Sequence, residues 1–308
     1  AAHLLAERGL EVIAVHLQLA DPAVDRKAFN EDTETPAAFD TRRARQSADQ
    51  LGVELVTVDL RDRFRRVIDR FCREYAAGRT PNPCTWCNPQ VKFQALADEA
   101  HRTNAAWLAT GHYARIAERA DGTPGLFRGV DPAKDQSYAL FGLPRELLGR
   151  IRFPLGDRRK EDIKALAQHL NLHAAEHPES QDICFLDNER YTDFLRRRLP
   201  ERFVPGPIVD TDGNEVGRHD GTLNFTIGQR RGLRVPMGRP VYVVAIDPET
   251  NTVTIGDKRD LERSGLHARG VNWLRDEAAP FEARVKIRYR SRPEPARITP
   301  VDFDEQGR

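Results

Sequence analysis

The sequence predicts an α/β protein in three parts: a parallel sheet flanked by helices, a short helical segment, and a small all-β region. Three observations predict it. Short β-branched runs alternate with helical stretches through the first half. Two amphipathic helices follow, with a cysteine-bearing loop between them. Beyond Pro200 the pattern changes to short strands separated by turn sequences.

Ala1 to Arg8 reads as helix. Glu11 to Leu17, Val53 to Asp59 and Ala106 to Thr110 read as strands, because each is short, apolar and rich in β-branched residues. Thr41 to Leu51, Asp62 to Ala77 and Val91 to Arg102 supply helices between and beside them. The stretch from Ala20 to Phe39 is rich in Asp, Glu, Thr and Pro and reads as a long exposed loop. In a parallel sheet, ligands bind outside the carboxyl ends of the strands. Leu17 and the Gly111-His112-Tyr113 turn fall there. In the middle part, Glu161 to Leu170 places Ile163, Leu166, Ala167 and Leu170 on one helical face, and Asn188 to Leu199 does the same with Tyr191, Phe194 and Leu195. Asp210 to Asn214 and Asp247 to Asn251 are turns, and Val241 to Ile246 pairs with Thr252 to Ile255 as a hairpin. Short strands at this spacing predict a small β-barrel or sandwich.

Composition sets limits on function. With 31% charged and 39% hydrophobic residues the chain has the balance of a globular protein. Its 48 basic and 47 acidic side chains exclude a globally basic nucleic-acid binder but leave room for a local patch. No apolar run approaches the roughly 20 residues of a membrane span, and there is no secretory leader pattern. Four cysteines are too few for a disulfide scaffold, so the expected setting is a reducing cytoplasm. The chain opens on Ala inside a helix and stops in a turn-like Asp304 to Arg308, so it reads as a piece of a longer protein.

The cysteines carry the chemistry. Cys87, in Pro81-Asn82-Pro83-Cys84-Thr85-Trp86-Cys87-Asn88, and Cys184, in Ser180-Gln181-Asp182-Ile183-Cys184-Phe185, sit in short polar segments. A thiol in such a segment ionises and reacts, and two of them point to exchange through a disulfide. Cys72, between Phe71 and Tyr75 in a helix, reads as core. Cys84-Thr85-Trp86-Cys87 has the spacing of a zinc half-site, but no second pair completes four ligands. It also has the spacing of a redox Cys-x-x-Cys, but follows a long helix and a proline turn rather than a strand.

Arg284 to Arg292 has a basic residue at every second position. As a strand it puts Arg284, Lys286, Arg288, Arg290 and Arg292 on one face and Val285, Ile287 and Tyr289 on the other. Such a face is either a solvated exterior or a phosphate-tracking stripe, which Gln229-Arg230-Arg231 and Arg196-Arg197-Arg198 extend.

The chain resembles the tRNA-specific 2-thiouridylases, the MnmA family, over essentially its whole length. The matching segments are Gly78-Arg79-Thr80-Pro81-Asn82-Pro83, Cys87-Asn88 with Val91-Lys92-Phe93, Ala109-Thr110-Gly111-His112-Tyr113, Lys134-Asp135-Gln136-Ser137-Tyr138, Ile183-Cys184-Phe185, and Thr226 to Leu233. Each alone is weak; in this order they are specific. The resemblance implies an ATP pyrophosphatase (PP-loop, adenine nucleotide alpha-hydrolase-like) domain over residues 1–152, a linker domain over 153–218 carrying the second cysteine, and a β-barrel over 219–308.

It also implies a reaction. ATP, with Mg2+, adenylates the 2-oxygen of the wobble uridine in the tRNA anticodon loop, and a sulfur-relay protein supplies persulfide sulfur that displaces AMP. Cys184 matches the persulfide-bearing cysteine and Cys87 the nucleophile, leaving a Cys87–Cys184 disulfide to be reduced. Leu17 and Gly111 match ATP contacts. Asn82, Pro83 and Cys84 match the loop that touches the target base. His112, Lys134, Asp135, Gln136, Arg288 and Tyr289 match tRNA contacts. No resident metal and no membrane are implied, and a monomer is expected. A loop uridine must be splayed from its stack into a pocket.

The sequence departs from the family in two ways. The family's glycine-rich phosphate loop, of the Ser-Gly-Gly-Val-Asp-Ser type, is expected ahead of Ala1, and the last barrel strands after Arg308. Cys84 stands where many relatives have an acidic residue. Two alternatives accompany the sulfurtransferase reading: another PP-loop ATP pyrophosphatase, which has no use for paired thiols, and a non-catalytic RNA-binding fragment.

Overall fold

A computed structural model describes residues 1–19, 36–176, 183–186, 189–276, 280–289 and 291–301. In chain order the elements are α1 (Ala2–Ala6), β1 (Ile13–Gln18), α2 (Pro36–Leu51), β2 (Glu54–Asp59), α3 (Arg61–Ala76), α4 (Cys84–Cys87), a π-helical segment (Asn88–Phe93) and α5 (Gln94–Arg102). Then follow β3 (Leu108–Ala109), β4 (Ala114–Glu118), β5 (Pro124–Arg128), β6 (Ile151–Arg152), α6 (Lys160–His169) and α7 (Tyr191–Arg198). The last strands are β7 (Gly206–Val209), β8 (Glu215–His219), β9 (Tyr242–Asp247), β10 (Thr252–Gly256), β11 (Phe281–Val285) and β12 (Glu294–Ile298). The helix α2 starts at Pro36, a favoured first helical residue, so 36–39 is helix rather than loop. The remainder of the expected loop, 20–35, lies outside the described residues, as do 302–308.

The chain forms two compact units. The first comprises Ala2–Asp98 and Leu166–Gly270, the second Glu99–Ala165 with the described residues from Val271 on. In the first unit β1 and β2 pair in parallel, Ile13 opposite Glu54. Beside them α3 buries Phe64, Val67, Ile68, Phe71, Cys72 and Tyr75, the three-and-four spacing of one helical face. Phe71 is the hub: its ring meets Tyr75 at 4.9 Å, Phe185 at 5.1 Å and Phe194 at 6.2 Å. Cys72 is buried in this core, as its sequence setting predicts.

The same unit holds a four-stranded sheet in the order β8-β7-β10-β9, closed over Ile208, Phe225, Leu233, Val241, Val243, Val253 and Ile255. The predicted hairpin is present as β9–β10, with Asn251 in the left-handed region at its turn (φ 52°). The sheet begins at Gly206, ahead of the expected boundary at 218/219.

In the second unit β3 pairs in parallel with β6, and β4–β5 and β11–β12 form antiparallel hairpins. A Cβ at Gly156 would overlap the Ala114 carbonyl, so only glycine lets that loop pass β4. Residues 271–276 belong here because Asn272 donates to the Phe141 and Leu143 carbonyls, Arg119 to the Leu274 carbonyl, and Arg145 pairs with Asp276. The expected third part, 219–308, therefore divides between the two units. The expected single strand from Arg284 to Arg292 is also corrected. The strand β11 ends at Val285, and Arg288 and Ser291 exchange backbone and side-chain hydrogen bonds in a turn. Arg290 lies outside the described residues; among the others of the expected stripe, only Arg284 lies in a strand.

Candidate active site

The helix α4 is a single turn that begins with Cys84 and ends with Cys87. It starts there because Asn82 reverses the chain. Its side-chain oxygen accepts from the Cys84 N–H (3.1 Å), and its carbonyl accepts from the Thr85 hydroxyl (2.8 Å). Pro83 is buried and its carbonyl accepts from the Cys87 N–H (2.9 Å). Arg70 stacks on Trp86, 3.9 Å from the ring centroid, and holds the turn against α3. Gly78, left-handed at φ 71°, lets the preceding loop pass beside Pro248 of the β9–β10 turn. The Cys-x-x-Cys thus opens a helix, which its sequence context did not suggest.

Cys184 arrives from the far part of the unit on a short turn, Cys184–Leu186. Its neighbours do the docking. Phe185 is buried edge-on against Phe64 and Phe71, and Ile183, Phe185 and Leu186 join the cluster that contains Cys87 and Val91. Cys84, Cys87 and Cys184 lie close enough for a charge on one to disfavour a charge on another.

Burial dominates their acidity. It pushes Cys87 up to about 12, and raises Cys84 and Cys184 as well. Cys184 lies at the surface, yet the atoms crowding its sulfur still penalise the thiolate. Cys87 is 5% exposed. The expectation of two ionisable loop thiols is therefore corrected for Cys87, which sits in a helix and is held as a neutral thiol by the apolar cluster.

One charge opposes that burial. The Lys92 ammonium favours the thiolate at Cys84, Cys87 and Cys184 alike. Lys92 is half-buried and forms no ion pair with a carboxylate among the described residues. It reaches the thiols because Asn88–Phe93 is π-helical, and i→i+5 bonding sets Lys92 one turn above Cys87. Sequence reasoning passed over Lys92 as a site residue: at ordinary helical spacing, a residue five positions from Cys87 faces away.

The predicted tRNA contacts gather in the second unit. Gln136 latches onto Tyr113: the Tyr113 N–H donates to its side-chain oxygen and its own N–H to the Tyr113 carbonyl, both at 2.9 Å. His112 lies beside this latch, its Nδ1 2.8 Å from the Thr110 hydroxyl. The Tyr289 hydroxyl donates to the Asp135 carbonyl (3.3 Å), and the Tyr138 hydroxyl to the Ile287 carbonyl (3.3 Å). Lys286 lies over the Tyr138 and Tyr289 rings. Asp135 spends its carboxylate on the Gly129 and Ser137 N–H groups and the Ser137 hydroxyl, so it shapes the loop. Arg288 is exposed.

The remaining basic segments are partly committed within the protein. Arg197 pairs with Glu189, Arg198 lies 3.8 Å from Asp69, and Arg196 covers Phe203. Gln229 folds its side chain onto the Thr226 N–H and the Arg231 carbonyl, so it orders the loop from which Arg230 and Arg231 project. Leu17, in the first unit, is partly buried against the core at the carboxyl end of β1. Gly111, in the second, follows the carboxyl end of β3. A polar cavity lined by His16, Asp40, Arg43, Ser47 and His173 includes none of the predicted residues. Among the described residues no group of three His, Cys, Asp or Glu side chains could hold a metal, and no helix is long and apolar enough to cross a membrane.

Residues 1–188 match the family described as tRNA methyl transferase HUP domain, and residues 192–257 the tRNA methyl transferase PRC-barrel domain. The chain is 42% identical to a tRNA-specific 2-thiouridylase of Carboxydothermus hydrogenoformans, over 99% of this chain and 84% of that protein. It is 43% identical to one from Geobacter metallireducens (97% and 82%) and 44% identical to one from Heliobacterium modesticaldum (97% and 78%).

Proposed function

Because the chain belongs to the tRNA-specific 2-thiouridylase family, we propose that it installs sulfur at the 2-position of the tRNA wobble uridine through Cys87 and Cys184. It is a tRNA-modifying transferase with a HUP domain suited to ATP. The family descriptions name a methyl transferase, whereas the curated relatives are named thiouridylases. The clustered thiols favour sulfur as the group transferred.

The observation that carries the reading is the convergence of Cys87 and Cys184 on one cluster with Lys92. In the reaction, ATP adenylates the uridine 2-oxygen, with AMP as the later leaving group. Cys184 receives a terminal sulfur from a relay protein at the surface. Cys87 thiolate attacks the Cys184 sulfur, the terminal sulfur leaves as hydrosulfide and attacks C2, and a Cys87–Cys184 disulfide remains. Lys92 stabilises the thiolates. Leu17 and Gly111 contact ATP, and Mg2+ enters with its phosphates. Asn82, Pro83 and Cys84 face the target base. His112, Lys134, Gln136, Arg288 and Tyr289 bind the tRNA, and Asp135 shapes the same surface. The protein works as a cytoplasmic monomer.

Nucleoside mass spectrometry of tRNA from complemented cells tests this. Cys87→Ser and Cys184→Ser each abolish 2-thiouridine, and Cys72→Ser does not. Normal thiolation in the Cys184→Ser strain would sink the assignment.

A further inference from the structure

The thiol cluster contains a third cysteine that the thiolation reaction does not use. Cys84 and Cys87 are the first and last residues of one helical turn. Residues three apart on a helix have Cβ atoms about 5–6 Å apart, so a disulfide between them needs a closure of only about 1–2 Å. The three residues differ in exposure: Cys87 is buried, Cys84 half-buried and Cys184 exposed.

We propose that Cys84 is the resolving thiol of the catalytic cycle, attacking the Cys87 sulfur of the Cys87–Cys184 disulfide and releasing Cys184. The inference rests on the disulfide of the reading above. The exchange balances: the Cys84 thiolate forms a bond to Cys87 Sγ, the Cys87–Cys184 bond breaks, and its electron pair leaves on Cys184. No net oxidation occurs. An external dithiol reductant then takes up the Cys84–Cys87 disulfide.

The shared turn places Cys84 beside Cys87, and leaving-group chemistry gives the direction. Attack at the Cys87 sulfur expels Cys184; attack at the Cys184 sulfur expels Cys87. The thiol of lower pKa leaves faster, and Cys87 is the one pushed to about 12 by its apolar surroundings. The Lys92 charge favours the thiolate at Cys84, Cys87 and Cys184 alike, so it assists attack and departure, and the direction rests on the leaving group. Exchange keeps the disulfide within one helical turn and leaves Cys184, the exposed residue of the three, free for the next sulfur delivery.

A single turnover decides it. Enzyme carrying persulfide on Cys184 is mixed with substrate tRNA and ATP without reductant, quenched in acid, alkylated and peptide-mapped. The expected product is a Cys84–Cys87 bridge with Cys184 alkylated. In Cys84→Ser the bridge instead stays at Cys87–Cys184, and turnover with limiting dithiol falls at least about tenfold. A dominant Cys87–Cys184 bridge with Cys84 alkylated in the wild type overturns the resolving role and leaves the thiolation reading standing. A Cys84–Cys184 bridge overturns the direction of attack. Thiolated tRNA with every cysteine still free overturns the disulfide reading, and the exchange with it.

Discussion

Phe185 both docks the Cys184 turn and helps bury Cys87, so removing it tests the burial argument directly. The ring is 9% exposed and meets three others, Phe64 at 6.0 Å, Phe71 at 5.1 Å and Phe194 at 5.3 Å. Phe185→Ala leaves a cavity in the cluster and costs about 3–5 kcal/mol of stability, the usual range for a buried phenylalanine. The larger effect is on chemistry. Cys87 stands at about 12 against an ordinary value of 9.0, a difference that lowers its thiolate fraction near neutral pH roughly a thousandfold. Hydrating the cluster recovers part of that factor. The sign is fixed by burial: the folded value lies above the unfolded one, so the neutral thiol stabilises the fold below pH 9 and that contribution fades as pH rises towards 12. The assay is alkylation of each cysteine against pH, followed by mass spectrometry, with urea unfolding on the same proteins. Cys87 in the wild type reacts about two to three orders of magnitude more slowly than in unfolded chain, and Phe185→Ala closes at least about tenfold of that gap. A wild-type Cys87 that alkylates at the unfolded rate at pH 7.5 would refute the burial argument.

Three further outcomes follow. Lys92→Met slows alkylation of Cys84, Cys87 and Cys184 together while leaving Cys72 unchanged, read by the same mapping, because Lys92 favours the thiolate at the first three. Arg288→Ala lowers the log–log salt slope of tRNA binding by about one unit in a filter titration; an unchanged slope returns Arg288 to an ordinary exposed cation. Gln136→Ala breaks the bond to the Tyr113 N–H and costs about 1 kcal/mol in chemical unfolding, together with weaker tRNA binding.

The amino-acid sequence alone located most of the helices and the first strands, and its motifs indicated the family. Apolar periodicity located α3, α6, α7 and the strands β1, β2 and β3 within a few residues, because one-sided burial leaves its period in the chain. Turn residues located the β9–β10 hairpin. Motif order indicated Cys87, Cys184, His112 and the Lys134 to Gln136 loop as site residues. The basic run from Arg284 misled: alternation of cations favours no strand unless the opposite face is buried, and Ile287 and Tyr289 are exposed. Other properties were decided only by tertiary structure. Whether a cysteine is reactive depends on what surrounds its sulfur, and Cys87 lost its polar setting to Phe185 and Leu186, distant in the chain. The role of Lys92 depended on a π-helical turn that shifts the helical face, a backbone choice without a composition signature. The grouping of 271–276 with the second unit rested on side-chain bonds from Asn272 and Arg119 to distant carbonyls, and such bonds have no period to read.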